Sequence, residues 1–262
     1  MLAETKFLLR AYQIFPKKHL GQNFLVEPSI FQRMIDYAVV CNRDVVLDVG
    51  AGIGFLTRFL AGKCGRVLAV EFDARLVRVL REQLRDLVNV QVIEGDVLKV
   101  AVPEFNKVVS VPPYRISSRL FLWLLSRNFD CAVLVFQREF ADRLVASVGS
   151  DAYGWLSVFA YYFVDVELLD DVPKGMFYPQ PRVDSVVVRL KPKKPKPFEL
   201  KDEDLFRRLV RLLFTQRNRK VRNAVLVFLK GVPSGMVVPF GDRRIRELAP
   251  EDFGVLANAF CV

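Results

Sequence analysis

The sequence has a single histidine, His19, and four cysteines, Cys41, Cys64, Cys131 and Cys261, with no C-x-x-C pair among them. One imidazole excludes a catalytic triad built on histidine. Scattered thiols without paired spacing fit neither a zinc finger nor a redox motif, so no metal site is expected. No apolar run approaches the ~18 residues that a membrane span requires. The first residues also lack the basic, apolar, small-residue order of a secretion signal. A cytoplasmic protein without membrane contact is the expectation, and a monomer.

What is present is a chain of 262 residues, 52% hydrophobic and 26% charged, enough for one large domain and a small one. The formal charge is +10 and very uneven. Residues 191–230 hold 13 Lys or Arg against 4 acids, whereas the first 190 residues are near neutral. Such a block attracts polyanions, although a merely solvated face would carry the same charge.

Val45-Val46-Leu47-Asp48-Val49 is a short apolar run, followed by Gly50-Ala51-Gly52-Ile53-Gly54 and then Phe55 to Leu60. Strand, glycine turn and helix in that order open a doubly wound α/β fold. The G-x-G-x-G spacing differs from the dinucleotide G-x-G-x-x-G and serves a ligand loop or a plain tight turn equally well. The next strand, Arg66–Val70, ends at Glu71-Phe72-Asp73, and a third, Val90–Ile93, ends at Gly95-Asp96-Val97. A carboxylate after the second strand can accept bonds from ribose hydroxyls. Asp96 could take an adenine amino group, with Phe72 and Val97 packing the ring. Structural turn acids are the competing reading. The order of the acids favours S-adenosyl-L-methionine over a nicotinamide cofactor, whose pyrophosphate needs the longer glycine spacing.

The run Val108-Val109-Ser110 leads into Val111-Pro112-Pro113-Tyr114. Prolines stop the strand, since they lack an N–H for the ladder. Tyr114 would then stand at the carboxyl edge of the sheet, where ligands bind. Ser117 and Ser118 read as caps for a helix over 119–125, with a strand over 131–136 and a helix over 137–147 beyond it. Phe177-Tyr178-Pro179-Gln180-Pro181 reads as a stiff aromatic loop ahead of a strand over 186–190. Residues 1–15 read as an apolar lead-in without chemistry. Gln22 and Asn23, after Gly21, carry amides that could serve a turn or a ligand.

Lys191 to Pro197 is a rigid basic linker by composition. The expected division is therefore a Rossmann-like domain over 1–190 and a small helical domain over 191–262. Asp202 to Phe214 has the periodicity of an amphipathic helix. After it, Arg217, Arg219, Lys220 and Arg222 are the densest cations and the expected phosphate contacts, together with Lys17 and Lys18.

Together the Leu20–Leu25 entry (L-G-Q-N-F-L), the glycine loop, Glu71, Gly95-Asp96, the Pro113-Tyr114 turn and the Phe177–Ser185 loop resemble the KsgA-type ribosomal RNA adenine dimethyltransferase family. The resemblance spans nearly the whole chain, and the entry and the aromatic loop are its most specific marks. It implies a Rossmann-like methyltransferase fold with a helical C-terminal domain. It also implies transfer of methyl groups from S-adenosylmethionine to two adjacent adenosines near the 3′ end of small-subunit rRNA, within the small-subunit particle. By resemblance, Gln22, Asn23, Leu25, Gly50, Gly52, Glu71, Phe72, Asp96, Val97 and Val111 line the cofactor site. Tyr114 and Phe177 would sandwich a flipped adenine, and the Pro112 carbonyl would accept one N–H of its amine. The family has Asn where this chain has Val111, and that Asn accepts the second N–H. An assembly factor that binds RNA and cofactor with little or no methyl transfer is therefore the alternative.

Overall fold

A computed structural model describes residues 1–17, 21–228 and 237–261. Lys18, among the expected RNA contacts, lies outside them. The chain forms two compact units, Met1–Ala141 with Glu167–Pro192, and Asp142–Val166 with Lys193–Val262. The boundary after Pro192 falls at the basic linker. The expected division differs in one respect, since residues 142–166 belong to the second unit. The cause is α7 (Trp155–Phe163), whose Phe159 and Tyr162 rings pack on Phe206, with Phe198 against Tyr162. A helix apolar on nearly every side needs such a partner.

The first unit is built on a seven-stranded sheet in the order β4-β3-β2-β5-β6-β9-β7. The five leading strands, β4 (Val90–Glu94), β3 (Arg66–Glu71), β2 (Val45–Val49), β5 (Lys107–Ser110) and β6 (Cys131–Gln137), run parallel. β9 (Ser185–Pro192) runs antiparallel to β6, and β7 (Val164–Val172) forms the edge. Val46, Leu47, Val67, Leu68, Val108 and Val109 are all fully buried. That is what a parallel sheet covered on both faces requires, and it is why these strands read as apolar runs rather than as alternation.

β5 ends at Ser110, one residue before the Val111-Pro112-Pro113 stop, and a short 3-10 turn, Tyr114–Ile116, follows. α5 then starts at Ser117 itself (Ser117–Leu124), so Ser117 and Ser118 do not cap it. The Ser117 hydroxyl donates backwards instead, to the Tyr114 carbonyl at 2.9 Å. The lead-in is a helix, α1 (Leu2–Ala11), with Thr5, Leu8 and Leu9 buried along one face. A two-residue strand pair, β1 (Phe24–Leu25) with β8 (Phe177–Tyr178), matches Leu25 to Phe177 and Phe24 to Tyr178. It joins the two most specific motifs of the sequence at the carboxyl edge of the sheet.

The second unit is helical beyond the linker. α8 (Glu203–Phe214) begins at Asp202, whose side chain accepts the Leu205 N–H at 2.9 Å, and buries Phe206, Leu209, Val210 and Leu213. α10 (Pro250–Ala259) presents Phe253 to Phe214, ring centroids 5.3 Å apart.

Candidate cofactor and base-binding site

Two glycines make the loop after β2 a cradle. Gly50 has φ +75°, and a β-carbon there would lie 2.7 Å from Cδ of Pro113. Gly52 has φ +60°, and a β-carbon there would press the Phe24 ring at 3.1 Å. Left-handed backbone and close approach both exclude larger residues. The Gly50 contact also ties the cofactor loop to the proline turn, so the two motifs form one wall.

Glu71 at the end of β3 is buried, and its carboxylate accepts the Gly52 N–H at 2.9 Å and the Asp73 N–H at 2.8 Å. Burial pushes its pKa upward, while those backbone N–H groups draw it partly back. No cation pairs with it among the described residues. Each oxygen therefore keeps acceptor capacity toward the cleft. Asp73 is different. Its bonds with Arg75 hold its carboxyl at about 2 against burial, with help from Gln22.

One cleft is lined by Gln22, Asn23, Gly50, Gly52, Glu71, Phe72, Asp96, Val97 and Val111, together with Pro113 and Arg115. Leu25 lines an adjoining hollow, which shares Asn23, Gly50, Gly52 and Val111 with the cleft and adds Asp48. Thus every residue expected at the cofactor site comes to this edge of the sheet. Their surroundings differ. Phe72 is exposed and Val97 buried, the arrangement of an open ring above a closed floor. One Asp96 oxygen accepts the Leu98 N–H at 3.1 Å. Gln22 accepts the Lys17 N–H at 2.7 Å and donates to Asp73 at 2.9 Å, so its amide shapes the wall. The Asn23 amide donates to the Gly21 carbonyl at 3.3 Å. An acid after each of two strands, a glycine cradle and an apolar slot fit an adenosine-bearing cofactor without a phosphate.

Val111 turns its apolar side chain to both hollows and packs on the core. Pro112 is buried, and Pro113 rather than Pro112 faces the cleft. Ser110 is fully buried and its hydroxyl has no hydrogen-bond partner among the described residues. Tyr114 and Phe177 meet edge to face, with centroids 6.3 Å apart and planes at 69°. A base between two rings needs parallel planes about 7 Å apart, so a ring must turn before a base fits. The hydroxyls of Tyr114 and Ser185 share a 2.7 Å hydrogen bond. Phe177 has no such tether.

Two residues at this edge carry more than the sequence disclosed. Asp73 caps α4 (Ala74–Gln83) through the Arg75 N–H at 3.1 Å and anchors Gln22. An aspartate directly before a helical run was its signal. Asp48 is buried and accepts the Thr57 hydroxyl at 2.7 Å. Burial raises its pKa to about 7, Thr57 opposing and the nearby Glu71 charge adding. An acid inside a five-residue apolar run was the signal there.

The expected phosphate contacts are partly committed within the second unit. Arg217 donates to the carbonyls of Asp151 and Ser150 at 2.8 and 3.0 Å, which makes it a strut. Lys220 and Arg222 both pair with Asp242. Arg219 is exposed, as is Lys17 in the first unit.

The model of the family described as ribosomal RNA adenine dimethylase matches residues 16–236. A probable ribosomal RNA small subunit methyltransferase A of Methanosarcina acetivorans is 42% identical over 245 residues, 90% of this chain and 91% of the relative. Among solved structures, a dimethyladenosine transferase from Plasmodium falciparum superposes with a TM-score of 0.75 at 28% identity, covering 88% of this chain and 94% of that one. The 23S rRNA methyltransferase ErmE gives 0.68 at 27% identity, covering 90% and 98%. The glycine cradle, the two strand-end acids and the aromatic turn thus sit in a chain matched along most of its length, and it belongs to the ribosomal RNA adenine dimethylase family of S-adenosylmethionine-dependent rRNA methyltransferases.

Proposed function

We propose that this protein methylates the exocyclic amines of two adjacent adenosines near the 3′ end of small-subunit rRNA. It does so as a monomer, on a small-subunit particle during ribosome assembly. The observation that carries the reading is the shared wall of Gly50 and Pro113, which places the cofactor loop against the turn that bears Val111 to Tyr114. When bound, S-adenosylmethionine supplies a methyl group on a sulfonium that is already electrophilic. The protein's part is alignment and exclusion of water.

In this reading Glu71 accepts the ribose hydroxyls and Asp96 the adenine amino group of the cofactor, with Phe72 and Val97 against its ring. Tyr114 and Phe177 hold the extruded target base by stacking. The target amine is a poor nucleophile because its lone pair is delocalised into the ring. Acceptors on its two N–H groups stabilise the positive charge that develops on nitrogen, as donors stabilise an oxyanion. The Pro112 carbonyl is one such acceptor.

Val111 supports a second reading, in which the chain serves chiefly as a small-subunit assembly factor with slow or absent methyl transfer. Its side chain lines both hollows and offers no acceptor. By analogy with oxyanion-hole donors, losing one acceptor costs about 10²–10³ in rate. The two readings separate on transfer of labelled methyl groups to undermethylated small subunits by the parent and by Val111→Asn. A parent within about tenfold of the variant supports the enzyme. A silent parent that binds subunits and gains activity with asparagine supports the assembly factor.

A further inference from the structure

α1 and the turn after it build a second groove that the cofactor site does not use. It is lined by Lys6, Arg10, Gln13, Phe15, Pro16 and Tyr178. Two cations and two aromatic rings face it, and no carboxylate among the described residues does. Lys6 lies over the Tyr178 ring, its ammonium 5.3 Å from the centroid. Phe15 is 79% exposed, an unusual position for a phenyl ring at the lip of a groove.

The backbone holds Phe15 there deliberately. Gln13 has φ +54°, a left-handed conformation uncommon for a residue other than glycine. The Gln13 N–H donates to the Arg10 carbonyl at 3.0 Å and the Ile14 N–H to the Leu9 carbonyl at 2.8 Å. This turn buries Ile14 in the cluster beneath α1 and sends Phe15 outward. An exposed ring beside cations that have no ion pair among the described residues matches the chemistry of a single-stranded nucleotide, with the base on the ring and the phosphate on the cations.

The groove also adjoins the base-binding turn. Tyr178 follows Phe177 directly on β8, and successive strand residues point to opposite faces. Phe177 accordingly packs toward Tyr114, while Tyr178 packs toward the α1 cluster. We propose that the groove takes a nucleotide of the single-stranded RNA flanking the target adenosine, with its base on Phe15 and its phosphates on Lys6 and Arg10. The inference rests on the reading that the chain acts on rRNA, and it adds residues that would set the path of the strand.

The test uses full-length protein and a short oligoribonucleotide carrying 2-aminopurine, alongside binding to undermethylated small subunits. Base stacking predicts fluorescence quenching by the parent and by Phe15→Tyr, with quenching lost in Phe15→Ala. Phe15→Ala should also bind subunits about tenfold more weakly at an unchanged melting temperature, because the ring it removes is already in solvent. Lys6→Gln with Arg10→Gln should lower the salt dependence of oligoribonucleotide binding by about 1.4, roughly 0.7 for each phosphate contact. If Phe15→Ala binds subunits as tightly as the parent and no Phe15-dependent quenching occurs, the groove is not an RNA site. If the parent itself fails to bind subunits while quenching depends on Phe15, the groove stands as a site for single-stranded RNA and the small-subunit reading falls.

Discussion

The two ends of the parallel strands treat their acids in opposite ways. At the amino end, Asp44 precedes β2 and receives the Cys41 N–H at 2.7 Å, the Asn106 amide at 2.8 Å and the Lys107 ammonium at 2.8 Å. Burial alone would raise its pKa, but these donors outweigh it and hold the carboxyl at about 2. At the carboxyl end, Glu71 is buried to a similar degree but, among the described residues, is met by backbone N–H groups alone, and its pKa is raised. The first acid is closed by the fold itself. The second keeps open lone pairs in a cleft, the condition of a group that awaits a ligand.

That contrast can be broken at either end. If Glu71 accepts both ribose hydroxyls as proposed, Glu71→Ala should weaken S-adenosylmethionine binding about 10²-fold, through the loss of two hydrogen bonds to a charged group. Isothermal titration checks it, and an affinity within threefold of the parent would count against the cleft as the cofactor site. Asp44→Ala should leave that affinity unchanged and cost about 3 kcal/mol of stability, because it strands the nearly buried Lys107 ammonium. Denaturant unfolding reads this loss.

Asp48 lies between the two ends and titrates. Its folded pKa is raised to about 7, so the folded state holds a proton that the unfolded chain releases near pH 4. Stability should therefore fall as pH rises from about 4 to 7, by up to a few kcal/mol. Asp48→Asn should flatten that slope in thermal melts, and an unchanged slope would assign the pH dependence to other groups. Asp73 has the opposite sign. Its carboxyl is depressed to about 2, so its contribution is present above about pH 4 and fades as pH falls toward 2. Arg75→Gln should shrink that acid-side loss by about 1 kcal/mol, the smallest of these effects.

How far the sequence disclosed all this depended on the range of the contacts. β2, β3, β5 and β6 were legible because burial on both faces writes nearly continuous apolar runs bounded by glycine, acid or proline. Gly50, Gly52, Glu71, Asp96 and Val111 could be placed at one edge because each ends a strand or sits in the loop just beyond it, whereas Gln22 and Asn23 precede β1 and had no such marker. β7 was not legible, because Asp165, Glu167, Asp170 and Asp171 interrupt its pattern. Those acids pair with Lys193, Arg189, Arg33 and Arg138, as suits a charged edge strand. The pairing of Phe24 with Tyr178 joins residues far apart in the chain, and two-residue strands have no periodicity to read. The same distance hid the carbonyls that hold Arg217 and the Asp242 that occupies Lys220 and Arg222. α1 passed as a lead-in because its N-terminus has no side-chain cap.

One measurement reads both ends of the sheet together: the rise in melting temperature when S-adenosylmethionine is added to the parent, Asp44→Ala and Glu71→Ala. A ligand at about a hundredfold its dissociation constant stabilises the folded state by roughly 2.7 kcal/mol. The parent and Asp44→Ala should gain the same increment from different starting temperatures, while Glu71→Ala should gain almost none. A full increment in Glu71→Ala, or its loss in Asp44→Ala, would contradict the division between a structural and a ligand-binding end.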